Sequence, residues 1–159
     1  MNAPGVGRGL PVLRPYQAEV ARVLLRMIAD GEGGSISVEI ARQGGKNELS
    51  AQVELYALLM GAARGGNAVK CAPTYLQAAI SRERLRRRFA DAGLATLVRS
   101  AGGALHCGAA SARTLSAEPG ANVVGHTADL LLEVDEAQDV QAEKFDRDFR
   151  PMAASTNAP

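Results

Sequence analysis

One hand-over between two periodicities constrains this chain most. Residues 35–41, "SISVEIA", are rich in β-branched side chains and read as a buried strand. After "RQGG", the run "KNELSAQVELYALLMG" puts Leu49, Val53, Tyr56, Ala57 and Met60 on one helical stripe. A strand that passes into a helix through a glycine pair is a building unit of a parallel sheet. The same alternation continues along the chain. Pro15 opens a helix with Tyr16, Val20, Val23, Leu24, Met27 and Ile28 at helical spacing, and Gly31 stops it. "AVKCAP" is a short strand closed by Pro73. "TYLQAAISRERLRRRFADAG" is a helix from its cap Thr74 to Gly93. "LATLVRS", "GALHCGAA" and "ARTLSA" read as short strands joined by Gly-containing turns. "ADLLLEVDEAQDV" is a buried strand that ends in charge, and "AEKFDRDFRPMAA" is a helix broken near Pro151. The predicted fold is α/β, a parallel sheet covered by helices on both faces.

A chain of 159 residues suits one domain with a real core, here 14–159, after a Gly- and Pro-rich stretch at 1–13 that reads as a flexible tail. The formal net charge of +1 leaves nucleic-acid or membrane contact to local patches. Cys71 and Cys107 form no CxxC pair, and His106 and His126 do not complete a ligand set, so no Cys/His metal site is expected. No apolar run approaches the roughly 20 residues of a membrane span. The start lacks an export signal, so the cytoplasm is the expected compartment. Aromatic residues are 4% of the chain, too few for a base-stacking platform.

The loop "ARQGGKNE" lies where a phosphate would sit. Backbone N–H groups at a helix start lack intrahelical partners, and the helix dipole favours an anion there. Gly44 and Gly45 let the backbone approach closely. Lys46 can reach the β- and γ-phosphates, and Arg42 adds a cation with bidentate geometry. The hydroxyl that usually follows the lysine is replaced by Asn47, whose amide oxygen is an acceptable hard ligand for Mg²⁺, with Glu48 acting directly or through water. Taken alone, "GGKN" is equally a turn with a solvated lysine.

The strand "LLLEVDEAQ" supplies a second element, ending in Asp135-Glu136. Alternation places these carboxylates on opposite faces of the strand. One acid can then hold hydrated Mg²⁺ while the other polarises the attacking water, as NTP hydrolysis requires. Alternatively, "DEAQ" is an acidic helix start. Both features in one chain, in this order and each at a strand end, favour a nucleotide site. Glu133, within the same apolar stretch, lies on the face of Asp135, so it either helps the metal site or, the favoured reading, pairs with an arginine.

"RQGGKNEL" followed by "LLEVDEAQDV" resembles the ATPase half of the large terminase subunit of tailed bacteriophages, over about residues 12–159. The resemblance implies a P-loop NTPase of RecA-like (ASCE) type, using ATP and Mg²⁺. It implies that Arg42, Gln43, Gly44, Gly45, Lys46 and Asn47 bind nucleotide, and that Gln17, in "LRPYQAEV", contacts adenine. Asp135 would coordinate the metal with Asn47, and Glu136 would be the catalytic carboxylate. Arg42 would stabilise γ-phosphate charge in cis, with Arg113 the candidate for an arginine acting in trans on a neighbouring subunit. The implied partners are double-stranded DNA, the portal protein, the small terminase subunit and further copies in a ring, inside an infected or lysogenic bacterium. The resemblance also implies a fragment, ending before the next core strand and lacking the nuclease domain. Ile40 and Gly44 depart from the family pattern. A superfamily 1 or 2 helicase-like translocase and a non-hydrolysing nucleotide-binding remnant are the competing readings. The basic run Arg82–Phe89 is either a contact for DNA phosphate or acidic protein, or a solvated helix face with Leu85 and Phe89 buried.

Overall fold

The computed structural model describes residues 9–159. Helix α1 spans Pro15–Asp30, α2 Lys46–Gly61 and α3 Tyr75–Asp91. Strands are β1 (Gly66–Ala72), β2 (Val98–Ala101), β3 (Ala104–Cys107), β4 (Ala110–Ser116) and β5 (Leu131–Val134). A C-terminal helical segment follows: α4 (Ala142–Lys144), a wider π turn over Phe145–Phe149, and α5 (Arg150–Ala154). The π turn ends at Phe149, two residues before Pro151, which has no N–H to give, so the helical path widens and continues instead of breaking.

The five strands form one sheet in the order β2-β3-β4-β1-β5. β1 pairs in parallel with both β4 and β5, and only β3 runs against the others. The result is an α/β sheet flanked by helices, compatible with a RecA-like fold. Alternation along β1 divides two cores. Ala68 joins α1, α2 and α3 through Ala21, Leu55, Leu58, Leu85 and Phe89 on one face. Val69 and Cys71 join Phe149 and Met152 on the other. Helix α3 keeps its predicted start: Thr74 accepts from the Gln77 N–H, and the Gln77 side chain accepts from the Thr74 N–H in return. Leu85 and Phe89 are buried, Arg86 and Arg87 are exposed with Arg86 pairing Glu83 on the surface, and Arg88 turns inward to pair with Glu48 and Asp91. No described helix is long and apolar enough to cross a membrane.

Several expectations are corrected. Residues 35–40 form no strand: they are exposed or half-buried, and no backbone hydrogen bond joins them to a neighbour among the described residues. Propensity makes a segment extended, but only a paired neighbour makes it a strand. The outer edge of β5 is met instead by the chain end, where Pro159 O accepts from the Leu132 N–H at 2.8 Å. Asn157 Nδ2 donates to Gly31 O nearby. β5 is therefore an edge strand, with Leu132, Glu133 and Val134 only half-buried.

The helix faces differ too. α1 buries Gln17, Ala21 and Ile28 and exposes Tyr16 and Val23. α2 is buried on almost every side, so its predicted stripe carries little information, and Tyr56 points outward. Of the stretch 1–13, residues 1–8 lie outside the described residues. Leu10 and Leu13 pack against the core, and Pro11 O accepts from Gln52.

Candidate functional site

Lys46 is the first residue of α2 and lies against the end of β5. Its ammonium is 3.2 Å from Asp135 Oδ1 and 2.6 Å from Glu136 Oε1. The ladder holds Asp135 in place, since its N–H donates to Cys71 O at 2.8 Å, just beyond the last pair of β5. Glu136 departs from the strand pattern. Its φ is 49°, a left-handed conformation that costs a non-glycine residue about 1–2 kcal/mol. This single bend overturns the expected placement of the two acids on opposite faces: Glu136 swings back to the side of Lys46. Strain of this kind concentrates at sites where geometry matters more than local comfort.

The charges tune one another. Partial burial works to lower the Lys46 pKa, but Glu136 and Asp135 together hold it above its ordinary value. The hydrogen bond from Lys46, then that from Gln138 Nε2 at 2.6 Å, holds the Glu136 carboxyl below the usual range. Arg42 adds a smaller push in the same direction. Glu136 is therefore ionised at neutral pH.

The loop is fastened from behind by α1. Gln17, 4% exposed, donates from Nε2 to Gly45 O at 2.9 Å and to Gly44 O at 3.3 Å. Tyr16 donates its hydroxyl proton to Gly44 O at 2.6 Å. Gly45 has φ 84°, and a Cβ there would run into the Gln17 amide, so this position needs glycine on two counts. Gly44 closes the turn, its N–H donating to Ala41 O at 2.8 Å. The first turn of α2 takes up the N–H groups of Glu48 and Leu49. Those of Gly45, Lys46 and Asn47 have no acceptor among the described residues, which makes three consecutive donors beside a lysine. Ala41, Arg42 and Gln43 are exposed, so the front of the loop is open.

Not every predicted residue joins this constellation. Gln17 commits its carboxamide to the loop. Asn47 is exposed and makes no side-chain hydrogen bond among the described residues. Glu48 is drawn away from the acids: it accepts from Gln52 at 2.9 Å and lies 3.2 Å from Arg88 Nε. Arg113 sits in mid-β4, level with Val69 of β1, and donates to Gly102 O at 2.7 Å. Glu133 finds a lysine where an arginine was expected: Lys70, its direct cross-strand partner, at 3.1 Å. Tyr16, which touches the loop, and Ser50, Glu54 and Lys70, which meet Glu133 beneath it, are not singled out by the sequence reading. The available signal was Lys70 itself, a charge inside the apolar run "AVKCA".

The donors suit an anion, and the acids suit a hard cation held jointly with that anion and water. Among the described residues no cluster of three or more His, Cys, Asp or Glu could cage a metal by itself. Mg²⁺ fits such a set because it keeps waters and binds through one or two carboxylates plus phosphate oxygens. No family model matches the chain, and no significant match exists among curated proteins or solved structures.

Proposed function

We propose that this chain binds Mg·ATP at the start of α2 and hydrolyses it, as the motor domain of a phage DNA-packaging large terminase subunit. The observation that carries the nucleotide part is the meeting of Lys46 with Asp135 and Glu136 beside three amide donors that have no acceptor among the described residues. The packaging part rests on the resemblance at "RQGGKNEL" and "LLEVDEAQDV". Double-stranded DNA, portal, small subunit and a ring of copies are the partners it implies.

In this reading the P-loop is residues 41–47. Its amides and Lys46 bind the phosphates, and Lys46 exchanges its two carboxylates for phosphate oxygens. Asp135 would hold Mg²⁺, which supplies countercharge to the phosphates when bound. Glu136, ionised and freed from Lys46, takes the proton of the attacking water. Arg42, on the open side of the loop, faces the developing charge. A second reading, a remnant that binds nucleotide without hydrolysis, is favoured by the ion pairs that already engage Lys46.

The test is calorimetric titration of Mg·ATP into the native chain and Lys46→Met. Removing a hydrogen bond to a charged group, worth about 1.5–3 kcal/mol, should weaken binding about ten- to a hundredfold. A native chain that takes up no Mg·ATP, or a variant that binds it equally well, would refute the proposal.

A further inference from the structure

Four polar side chains meet beneath α2, deeper than the loop and the two acids. Lys70 Nζ lies 3.1 Å from Glu133 Oε1 and 3.6 Å from Glu54 Oε2, and it donates to Ser50 Oγ. Ser50 in turn donates to Glu133 Oε1 at 2.6 Å. Lys70 is 2% exposed and Glu54 3%. The cluster draws on three elements: Ser50 and Glu54 from α2, Lys70 from β1 and Glu133 from β5.

The candidate site is built on two of those elements. Lys46 precedes Ser50 by about one turn of the same helix. Asp135 follows Glu133 on the same side of the same strand path. The buried cluster therefore repeats the Lys46–Asp135 bridge between α2 and β5, one turn and one strand repeat further in.

Stability alone does not account for such a cluster. Apolar residues of similar volume often hold a core at least as well as a buried ion pair. What ions add is direction: apolar contact tolerates sliding, while a desolvated charge must keep its partners in place. We propose that Ser50, Glu54, Lys70 and Glu133 are positioning residues that fix the register of α2 against β5, and so the separation of Lys46 from Asp135 and Glu136. The consequence for turnover rests on the nucleotide reading above; the consequence for Lys46 does not.

The chain's three lysines make a direct test. Lys70 and Lys144 are 2% and 4% exposed, while the Lys46 side chain is 31% exposed. Acylation by an amine-reactive ester, mapped by peptide mass spectrometry, reads how firmly the acids hold Lys46. Lys70 and Lys144 report global opening in the same sample. Ser50→Ala removes the tie to Glu133 and leaves the charges paired. Glu54→Gln keeps the shape and an oxygen for Lys70. In both folded variants Lys46 acylation should rise about threefold or more, because an ammonium no longer held against its two carboxylates is more often free to meet the reagent. Labelling of Lys70 and Lys144 should stay at the native level, and Mg·ATP turnover should fall. Unchanged Lys46 labelling in both variants, whatever their melting temperatures, would overturn the inference. A native chain that fails to bind Mg·ATP while Ser50→Ala still speeds Lys46 labelling would sink the nucleotide reading and keep this one.

Discussion

Glu136→Gln is expected to lower ATP turnover by about two to four orders of magnitude, the contribution of a positioned general base. Binding should survive. The amide keeps the side chain's length and can still accept from Lys46, and losing one negative charge beside the phosphates eases nucleotide entry. The bent backbone at Glu136 needs no change, because glutamine has no branch at Cβ to crowd the left-handed conformation. Phosphate release measured with calorimetry on the same preparation separates the two effects. Lost turnover with retained affinity assigns Glu136 to the chemical step. Equal loss of both would make it a binding or folding residue, and native turnover would remove it from the chemistry.

Lys70→Met should destabilise the fold by about 3–5 kcal/mol, the usual penalty for breaking a buried ion pair from one side. Methionine fills much the same space, so the loss reports charge rather than volume. The variant leaves two carboxylates facing each other beneath α2, and this gives a pH signature. Burial, more than any other cause, raises the Glu54 pKa to about 7, with Lys70 opposing and Glu133 assisting the rise. Burial also disfavours the charge on Lys70, but Glu133 and Glu54 outweigh it and keep the amine firmly protonated. Because the folded-state value of Glu54 lies above its ordinary 4.5, the folded chain holds the extra proton between about 4.5 and 7. Its contribution to stability therefore falls as pH rises through that window. Without Lys70 the proton is held still more tightly, so the gap between native and variant should widen from pH 6 to pH 8. Urea unfolding at the two pH values measures it. A gap below about 1 kcal/mol at both would show that water or rearrangement satisfies the acids, since surface ion pairs typically lie in that range.

Much of the architecture is legible in the residues. α1 and α3 start and stop where Pro15, Thr74, Gly31 and Gly93 place them, because caps act within one turn. The short strands β2, β3 and β4 follow from Gly-bounded runs with β-branched residues or alternation. Residues 35–40 illustrate the limit: β-branched composition specifies an extended chain, while strand identity belongs to a pair. Helical spacing places Tyr16 and Tyr56 on a stripe, but a stripe gives a face and not what covers it. In the fold Tyr16 turns outward and fastens the loop at Gly44.

The site divides in the same way. Lys46, Asp135 and Glu136 stand out as residue types at element ends, and the fold brings them into contact. The bend that turns Glu136 toward Lys46 is one torsion angle, invisible to a period of two. Lys70 and Glu133 each stand out as a charge in an apolar strand. Their pairing depends on β1 lying beside β5 in one register, which is a property of the sheet and not of either segment.

The most direct test of the central claim is an amide chemical-shift titration of the native chain with Mg·ATP. If Lys46, Asp135 and Glu136 frame the nucleotide site, the amides of Gly45, Lys46 and Asn47 shift first and furthest, those of Asp135 and Glu136 follow, and Lys46→Met abolishes the response. Shifts confined to other surfaces, or none at millimolar Mg·ATP, would contradict it.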